Sequence, residues 1–408
     1  MSTIPLQAFA AFGIELEYIL VDKTSLDIRP IADVVLAQAQ CARKPSAIDY
    51  SNELALHVIE MKNTQPSPLS GLVSAFHLQV QRLNSYLAPY NACLMPTAMH
   101  PWMDPTRETA LWPHDDQGIY STYHRLFNCK RHSWSNVQSM HVNLPFADDQ
   151  QFEKLLAAVR VLLPILPAIA ASSPVADGAL SGYLDYRMHV YRDQSPTQPR
   201  IVGGVVPEIV RTQAEQETQV LAPMYADIAP IDPANNLRFE WLNSRGAIPR
   251  FDRSAIEIRV MDMQECPQAD LALAALVVDL TQLVYDGEVA TLQAQQALPT
   301  SALREILFAC NRDAEQTVID DVKYLSAFGF RGPRCTAQEL WYHLSETLLT
   351  RGAHHTEVWQ PHLQFVLQHG TLARRIIRAL AGDVSRPTLH SIYARLAKGL
   401  GEGKPFLA

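Results

Sequence analysis

Hydrophobic and polar positions alternate with period two in several short stretches of the first 270 residues, and recur at helical spacing through the last 140. In Phe12-Gly-Ile-Glu-Leu-Glu-Tyr-Ile-Leu-Val-Asp22, Ile14, Leu16, Tyr18 and Leu20 fall on one face and Glu15 and Glu17 on the other. Ala255–Asp262 repeats the pattern, with Ile256, Ile258 and Val260 opposed to Glu257 and Arg259. In Met140–Leu144, His141 and Asn143 share a face opposite Val142 and Leu144. A fourth strand is expected over His57–Lys62; the odd separation of Glu53 and Glu60 puts Glu53 in a turn or bulge ahead of it. Helices are expected at Pro68–Leu87, Gln151–Ala171, Leu271–Val284, Leu303–Val322, Ala337–Leu349 and His362–Leu380, with breaks at Gly332-Pro333 and Gly382-Asp383. Pro196–Pro207 and Pro223–Pro233 read as loops over a site, and Gly399–Lys404 as a flexible tail.

Strands with one apolar and one polar face predict a mainly antiparallel sheet, so the fold class is α+β with helices packed outside. One catalytic domain over 1–408 is expected, sheet-rich to about 267, its helical part at about 268–400 packing on the same core. Composition is that of an ordinary globular protein: 48% hydrophobic and 19% charged residues, with a net charge of −8. The acidic balance and the absence of a basic block argue against a nucleic-acid binder. The longest apolar run, Val161–Ala171, is interrupted by Pro164 and Pro167, which argues against a membrane span. Six scattered cysteines read as reduced thiols of a cytoplasmic protein.

Taken alone, Glu15 and Glu17 fit a solvated edge strand slightly better than they fit a site. The other segments tip the balance. The polar side of the sheet would collect Glu15, Glu17, Glu53, Glu60, Glu257 and His141, and five carboxylates on one face repel one another unless cations lie between them. Oxygen-rich donors with one imidazole and no thiolate favour Mg²⁺ or Mn²⁺ over zinc. Several such ions in one cleft suit a triphosphate, and Arg245, Arg250, Arg253 and Arg259 around the last strand offer guanidinium forks for phosphate; plain surface charge accounts for one or two of them. No Walker A, G-x-S-x-G or H-E-x-x-H pattern is present. Cys266 reads as a buried, inert thiol, and His354, His355, His124 and His132 as ordinary polar positions.

Phe12-Gly-Ile-Glu-Leu-Glu17, Asn52-Glu53 with Glu60, His100-Pro101, His141-Val-Asn143, Ser172-Ser-Pro174, Tyr186-Arg-Met188, Ile256–Asp262 and His369-Gly-Thr371 occur in one order. That ordered set resembles the bacterial glutamate–cysteine ligases, most closely the type 2, carboxylate–amine ligase branch. The resemblance implies a funnel-shaped antiparallel sheet of the glutamine synthetase kind, Mg-ATP as reactant, and formation of a γ-glutamyl amide. It implies metal-binding roles for Glu15, Glu17, Glu53, Glu60, His141 and Glu257. It further implies that Arg187 holds a substrate carboxylate, that Arg259 lies by the transferring phosphate and that Gln138 helps hold the amino acid. The sequence departs from its relatives in carrying Asn143 where many have a second His, and in lacking a glycine between His132 and Met140. The expected partners are small molecules: ATP, glutamate and an amine, cysteine or another; a homo-oligomer is left open. Three rivals remain: a guanidino-type phosphotransferase, a metal-dependent hydrolase without nucleotide, and a non-catalytic nucleotide- or amino-acid-binding descendant of the ligases.

Overall fold

A computed structural model describes residues 5–41, 46–114 and 117–408. Its centre is a seven-stranded sheet in which every pairing is antiparallel. In chain order the strands are β1 (Gly13–Asp22), β2 (Ile48–Asn52), β3 (Val58–Asn63), β4 (Ala92–Met95), β5 (Ser139–Pro145), β6 (Ala247–Arg250) and β7 (Ala255–Asp262). Across the sheet they run β2-β3-β1-β5-β7-β6, with β4 also pairing the far half of β1. β1 is therefore central, and it holds Glu15 against His141 on one side and Glu17 against Glu60 on the other. The four strands expected from alternation are present; β2, β4 and β6, too short for the pattern to register, complete the sheet.

The apolar faces behave as their period requires. Ile14, Leu16, Tyr18, Val142, Leu144, Ile256 and Ile258 are all buried in one large core. Helix Pro267–Tyr285 fills that core, and Trp341 and Trp359 of later helices belong to it as well. Pro267–Tyr285 is the one helix among the described residues long and apolar enough to cross a membrane, and 83% of its most apolar window is buried inside the fold. That is the composition of a helix enclosed on every side.

Several expected elements are corrected. The helix expected over Leu303–Val322 is Thr300–Asp313; it ends where Ala314 takes φ +47°, and Val318–Ile319 instead pairs with Cys335–Thr336. The stretch His362–Leu380 is two helices, Thr356–His369 and Leu372–Leu380, parted at Gly370 with φ +81°. Pro223–Pro233 is not a plain loop: Ala222–Ile228 is helical and continues directly from the π-helical turn Glu217–Leu221, Pro223 following that turn. Gly399–Lys404 is not a tail either. Residues 399–402 are the last turn of helix Arg386–Glu402, closed by Gly403 at φ +67°.

A separate, smaller hydrophobic cluster lies on the polar side of the sheet, beside a cavity lined by Glu17 and Glu53. It joins Leu54, Ala55 and Val58 to Tyr123 and Phe127, and to Leu221, Met224, Ile228, Leu237 and Leu242 from the segment after the first proline-rich stretch. Charged strand faces thus lie beneath a roof with its own apolar core.

Candidate active site

On β5 the alternate residues Ser139, His141 and Asn143 project to the polar face, and each meets a carboxylate from β1. His141 Nδ1 lies 3.0 Å from Glu15 Oε2 and 3.8 Å from Glu257 Oε1. Its Nε2 is 2.8 Å from Ser139 Oγ and 3.7 Å from Glu17 Oε1. The Ser139 backbone N–H donates to Glu17 Oε2 at 2.7 Å, and Asn143 Nδ2 to Glu15 Oε1 at 3.1 Å. Glu15, His141 and Glu257 bring one ligand atom each within 4.8 Å of one another, a spacing that suits one cation. Two carboxylates and one imidazole, with no thiolate, fit a hard divalent ion such as Mg²⁺ or Mn²⁺.

Glu60 stands opposite Glu17 in the β1–β3 ladder and accepts from Ser51 Oγ and, at 2.7 Å, from Lys62 Nζ. Glu53 sits between β2 and β3, outside either strand as its odd spacing required, and faces the same cleft. The charges do not balance. Burial, together with Glu15, pushes Glu60 up to about 7 against the opposing pull of Lys62. Burial, then Glu17 and Glu60, hold Glu53 well above the ordinary carboxylate range. Glu15 goes the other way: burial opposes its ionisation, but the His141 hydrogen bond and charge outweigh it. The His141 imidazole is correspondingly raised, burial notwithstanding, by Glu15 and Glu17. Surplus buried negative charge is what a bound cation would relieve.

The arginines divide. Arg259 Nε is 3.2 Å from Glu257 Oε1, and Arg250 Nη1 is 3.3 Å from Glu257 Oε2, with Asp252 on its other side. Arg253 is exposed and borders the larger of two cavities. Arg245 does not join them. Its guanidinium is buried against Glu208, Asn243 and the Arg200 carbonyl, and it borders neither cavity. Proximity in sequence to the last strand misplaced it: Arg245 precedes β6, and Glu208, Asn243 and the Arg200 carbonyl take up its guanidinium.

Arg187 reaches the site from the short helix Tyr186–Tyr191, capped by Asp185. Its Nε donates to Asp262 Oδ1 at 2.6 Å and its Nη2 to the Arg259 carbonyl at 3.2 Å. Asp262, to which the sequence pattern assigned no role, also accepts from the Ser172 N–H and the Ser173 hydroxyl. Strand parity hides it. Glu257 and Asp262 are five residues apart and would lie on opposite faces of a regular strand. The β5–β7 register slips between Met140 and Val142, so two residues of β7 oppose one of β5 there. Asn143 then pairs with Glu257, and Ser139 with Asp262, which restores both acids to one face.

Two cavities border the carboxylates of the polar face, the smaller at Glu17 and Glu53 and the larger at Glu15. The smaller, about 180 Å³, is bordered by Glu17, Glu53, Gln138, Arg187 and Arg259, under aromatic walls that include Trp134 and Trp241. The larger, about 670 Å³, is bordered by Gly13, Glu15, Lys62, Asn143 and Arg253. Lys62, Tyr191 and Gln194 also border one or the other, and nothing in their sequence context marked them. His355 and His132, read as ordinary positions, each find an acid distant in sequence, Asp279 at 2.7 Å and Asp177 at 3.1 Å, away from the cluster. Cys266 is buried in the main core and borders neither cavity.

The model of glutamate–cysteine ligase family 2 matches residues 11–394, a span that takes in the whole sheet and both cavity floors. The chain belongs to the glutamate–cysteine ligase family 2. An uncharacterized protein of Archaeoglobus fulgidus is 30% identical over 93% of this chain and 95% of its own length. Among solved structures, a glutamate–cysteine ligase of Francisella tularensis in complex with AMP superposes with a TM-score of 0.65, at 13% identity, covering 95% of this chain and 88% of that one. A bifunctional glutathione synthetase of Pasteurella multocida gives 0.58 at 13% identity, covering 97% of this chain and 52% of that one. At such identity these two likenesses show a shared fold. They bear out the expected fold class, and the family match bears out the reading of this member of glutamate–cysteine ligase family 2 as a carboxylate–amine type of ligase.

Proposed function

We propose that the protein joins a carboxylate to an amine at the expense of ATP, with glutamate as the donor and an acyl phosphate as intermediate. The observation that carries this reading is a carboxylate–imidazole cluster, Glu15, His141 and Glu257, with one cavity opening at Glu15, a second at the neighbouring Glu17, Glu53 and Arg259, and guanidinium groups beside Glu257. The larger cavity has room for a nucleotide, whose polyphosphate would run past Lys62 and Arg253 toward the cluster. The smaller one suits an amino acid, with Arg187 and Gln138 beside its carboxylate and amino groups.

A free carboxylate is a poor electrophile. Its oxygen attacks the γ-phosphorus, the bond to the β-phosphate bridging oxygen breaks, and ADP leaves. The amine then adds to the acyl carbon and inorganic phosphate departs, so the products are the amide, ADP, phosphate and a proton. Mg²⁺ or Mn²⁺ held by Glu15, His141 and Glu257, with Glu17, Glu53 and Glu60 close by, would neutralise the phosphoryl oxygens. Arg259, drawn in by Glu257, presents positive charge at the junction of donor and phosphate. The roof built on Tyr123, Leu221 and Leu242 shields the acyl phosphate from water.

The test is ADP release with Mg²⁺ across a panel of carboxylate donors, each with and without a series of amines. Release that needs both glutamate and an amine supports the proposal. Phosphate-ester or amide hydrolysis without ADP would replace it with the hydrolase reading, and transfer of phosphate onto a guanidino compound with the phosphotransferase reading.

A further inference from the structure

Glu15, Glu17 and Glu257 each have one oxygen held by a neighbour and the other turned toward His141, the Glu257 one shared with Arg259 Nε at 3.2 Å. Glu15 gives Oε1 to Asn143 and turns Oε2 to His141; Glu257 gives Oε2 to Arg250 and turns Oε1 inward; Glu17 gives Oε2 to Ser139 and leaves Oε1 facing His141. Two of the three restraints come from β5, from the residues two before and two after His141. We propose that Ser139 and Asn143 are the positioning residues of the cation site, Ser139 by setting the tautomer of His141 and pinning Glu17, Asn143 by orienting Glu15. The inference rests on the cation reading above and adds two residues to it.

The chemistry of the imidazole makes the role of Ser139 specific. A lone pair at Nδ1, the nitrogen that faces Glu15 and Glu257, exists only when the proton resides on Nε2. Once a cation displaces the Nδ1 proton shared with Glu15, Ser139 Oγ, 2.8 Å from Nε2, is placed to accept the hydrogen bond of the remaining proton, and its own hydrogen can then go to Glu17 Oε2 at 3.3 Å. All three residues are buried, so water does not substitute readily for the hydroxyl. Asn143 is fitted by close packing as well as by its hydrogen bond. It lies across the ladder from Gly13, and a Cβ at position 13 would come within 3.0 Å of the Asn143 Cβ. Glycine at 13 is what allows Asn143 to reach Glu15.

The experiment is a titration of the purified full chain with Mn²⁺, read by electron paramagnetic resonance and calorimetry without nucleotide, alongside thermal melting. Loss of a group that orients a metal ligand weakens binding by about 10- to 100-fold. Ser139→Ala and Asn143→Ala are expected in that range, and Ser139→Thr, which keeps the hydroxyl, within about threefold of the wild type. Gly13→Ala is expected to reproduce the Asn143→Ala loss with no polar group removed, and so to report on the site should Asn143→Ala fold poorly. Wild-type affinity in Ser139→Ala and in both Gly13→Ala and Asn143→Ala would overturn the proposal while leaving the cation site standing, provided Glu15→Gln loses Mn²⁺. A wild type that binds no Mn²⁺ overturns both.

Discussion

Two buried ionic clusters in this fold use the same residue types to opposite ends. Arg375 and Glu265 pair at 2.7 Å with essentially no exposure, and Arg375 also donates to the carbonyls of Gly370 and Phe406 and lies over the Phe365 ring. There one acid meets one base. Burial opposes the Glu265 charge, but Arg375 outweighs it and keeps the carboxyl below its usual range. On the polar face of the sheet five glutamates share Arg250, Arg259, Lys62 and one imidazole, and Glu53 and Glu60 are left above theirs. A balanced pair is complete within the protein and serves the packing of the C-terminal helices. An unbalanced set is what the proposed cation would complete, and that imbalance, more than burial or charge alone, singles out this cluster as the candidate site.

The contrast can be broken by substitution. The largest effect is expected at the unbalanced cluster: Glu15→Gln or Glu257→Gln should lower glutamate- and amine-dependent ADP release by about a thousandfold or more, with the far-ultraviolet circular dichroism unchanged. Full turnover in both variants would remove the cluster from the chemistry. Next comes Arg375→Met, which strands Glu265 and should cost about 3–5 kcal/mol in urea unfolding, while the specific activity of the folded protein stays near normal. The reverse pattern, activity lost and stability kept, would mean that the balanced pair is not merely structural. Adding Mn²⁺ at about a hundred times its dissociation constant should stabilise the wild type by about 2.7 kcal/mol, and Glu15→Gln hardly at all. Calorimetry of both proteins with and without the ion measures this. The smallest effect separates two arginines that sequence placed together. Arg253→Ala should raise the KM for ATP about fivefold, in keeping with the ~1 kcal/mol of an exposed ionic contact. Arg245→Lys should leave that KM alone and lower the melting temperature, because the Glu208 fork it breaks is buried on the arginine side.

Most of the cluster was legible before any fold was known. Glu15, Glu17, His141 and Glu257 declare themselves because a two-residue period is a local property, readable wherever a strand is long enough to show both faces. Even the place of Glu53 outside the strands followed from one odd interval. What escaped was set by pairing between distant segments. Asp262 reaches the polar face through a slip in register that only the β5–β7 ladder reveals. Ser139 and Asn143 lie on the right face by simple alternation, yet their partners are carboxylates more than 120 residues away. Arg245 looked equivalent to its neighbours until its burial against Glu208 set it apart.

The sequence by itself determined which strands are amphipathic, which face of each carries acid, and to which family the order of motifs belongs. The tertiary structure alone decided that β1 lies between β3 and β5, that a roof joining residues as far apart as Leu54 and Leu242 packs by the acids, and that one cavity opens at Glu17 and Glu53 and another at Glu15. The reason is physical. Alternation is written in the backbone geometry of each strand, whereas strand order, register and enclosed volume follow from how much apolar surface the whole chain can bury at once.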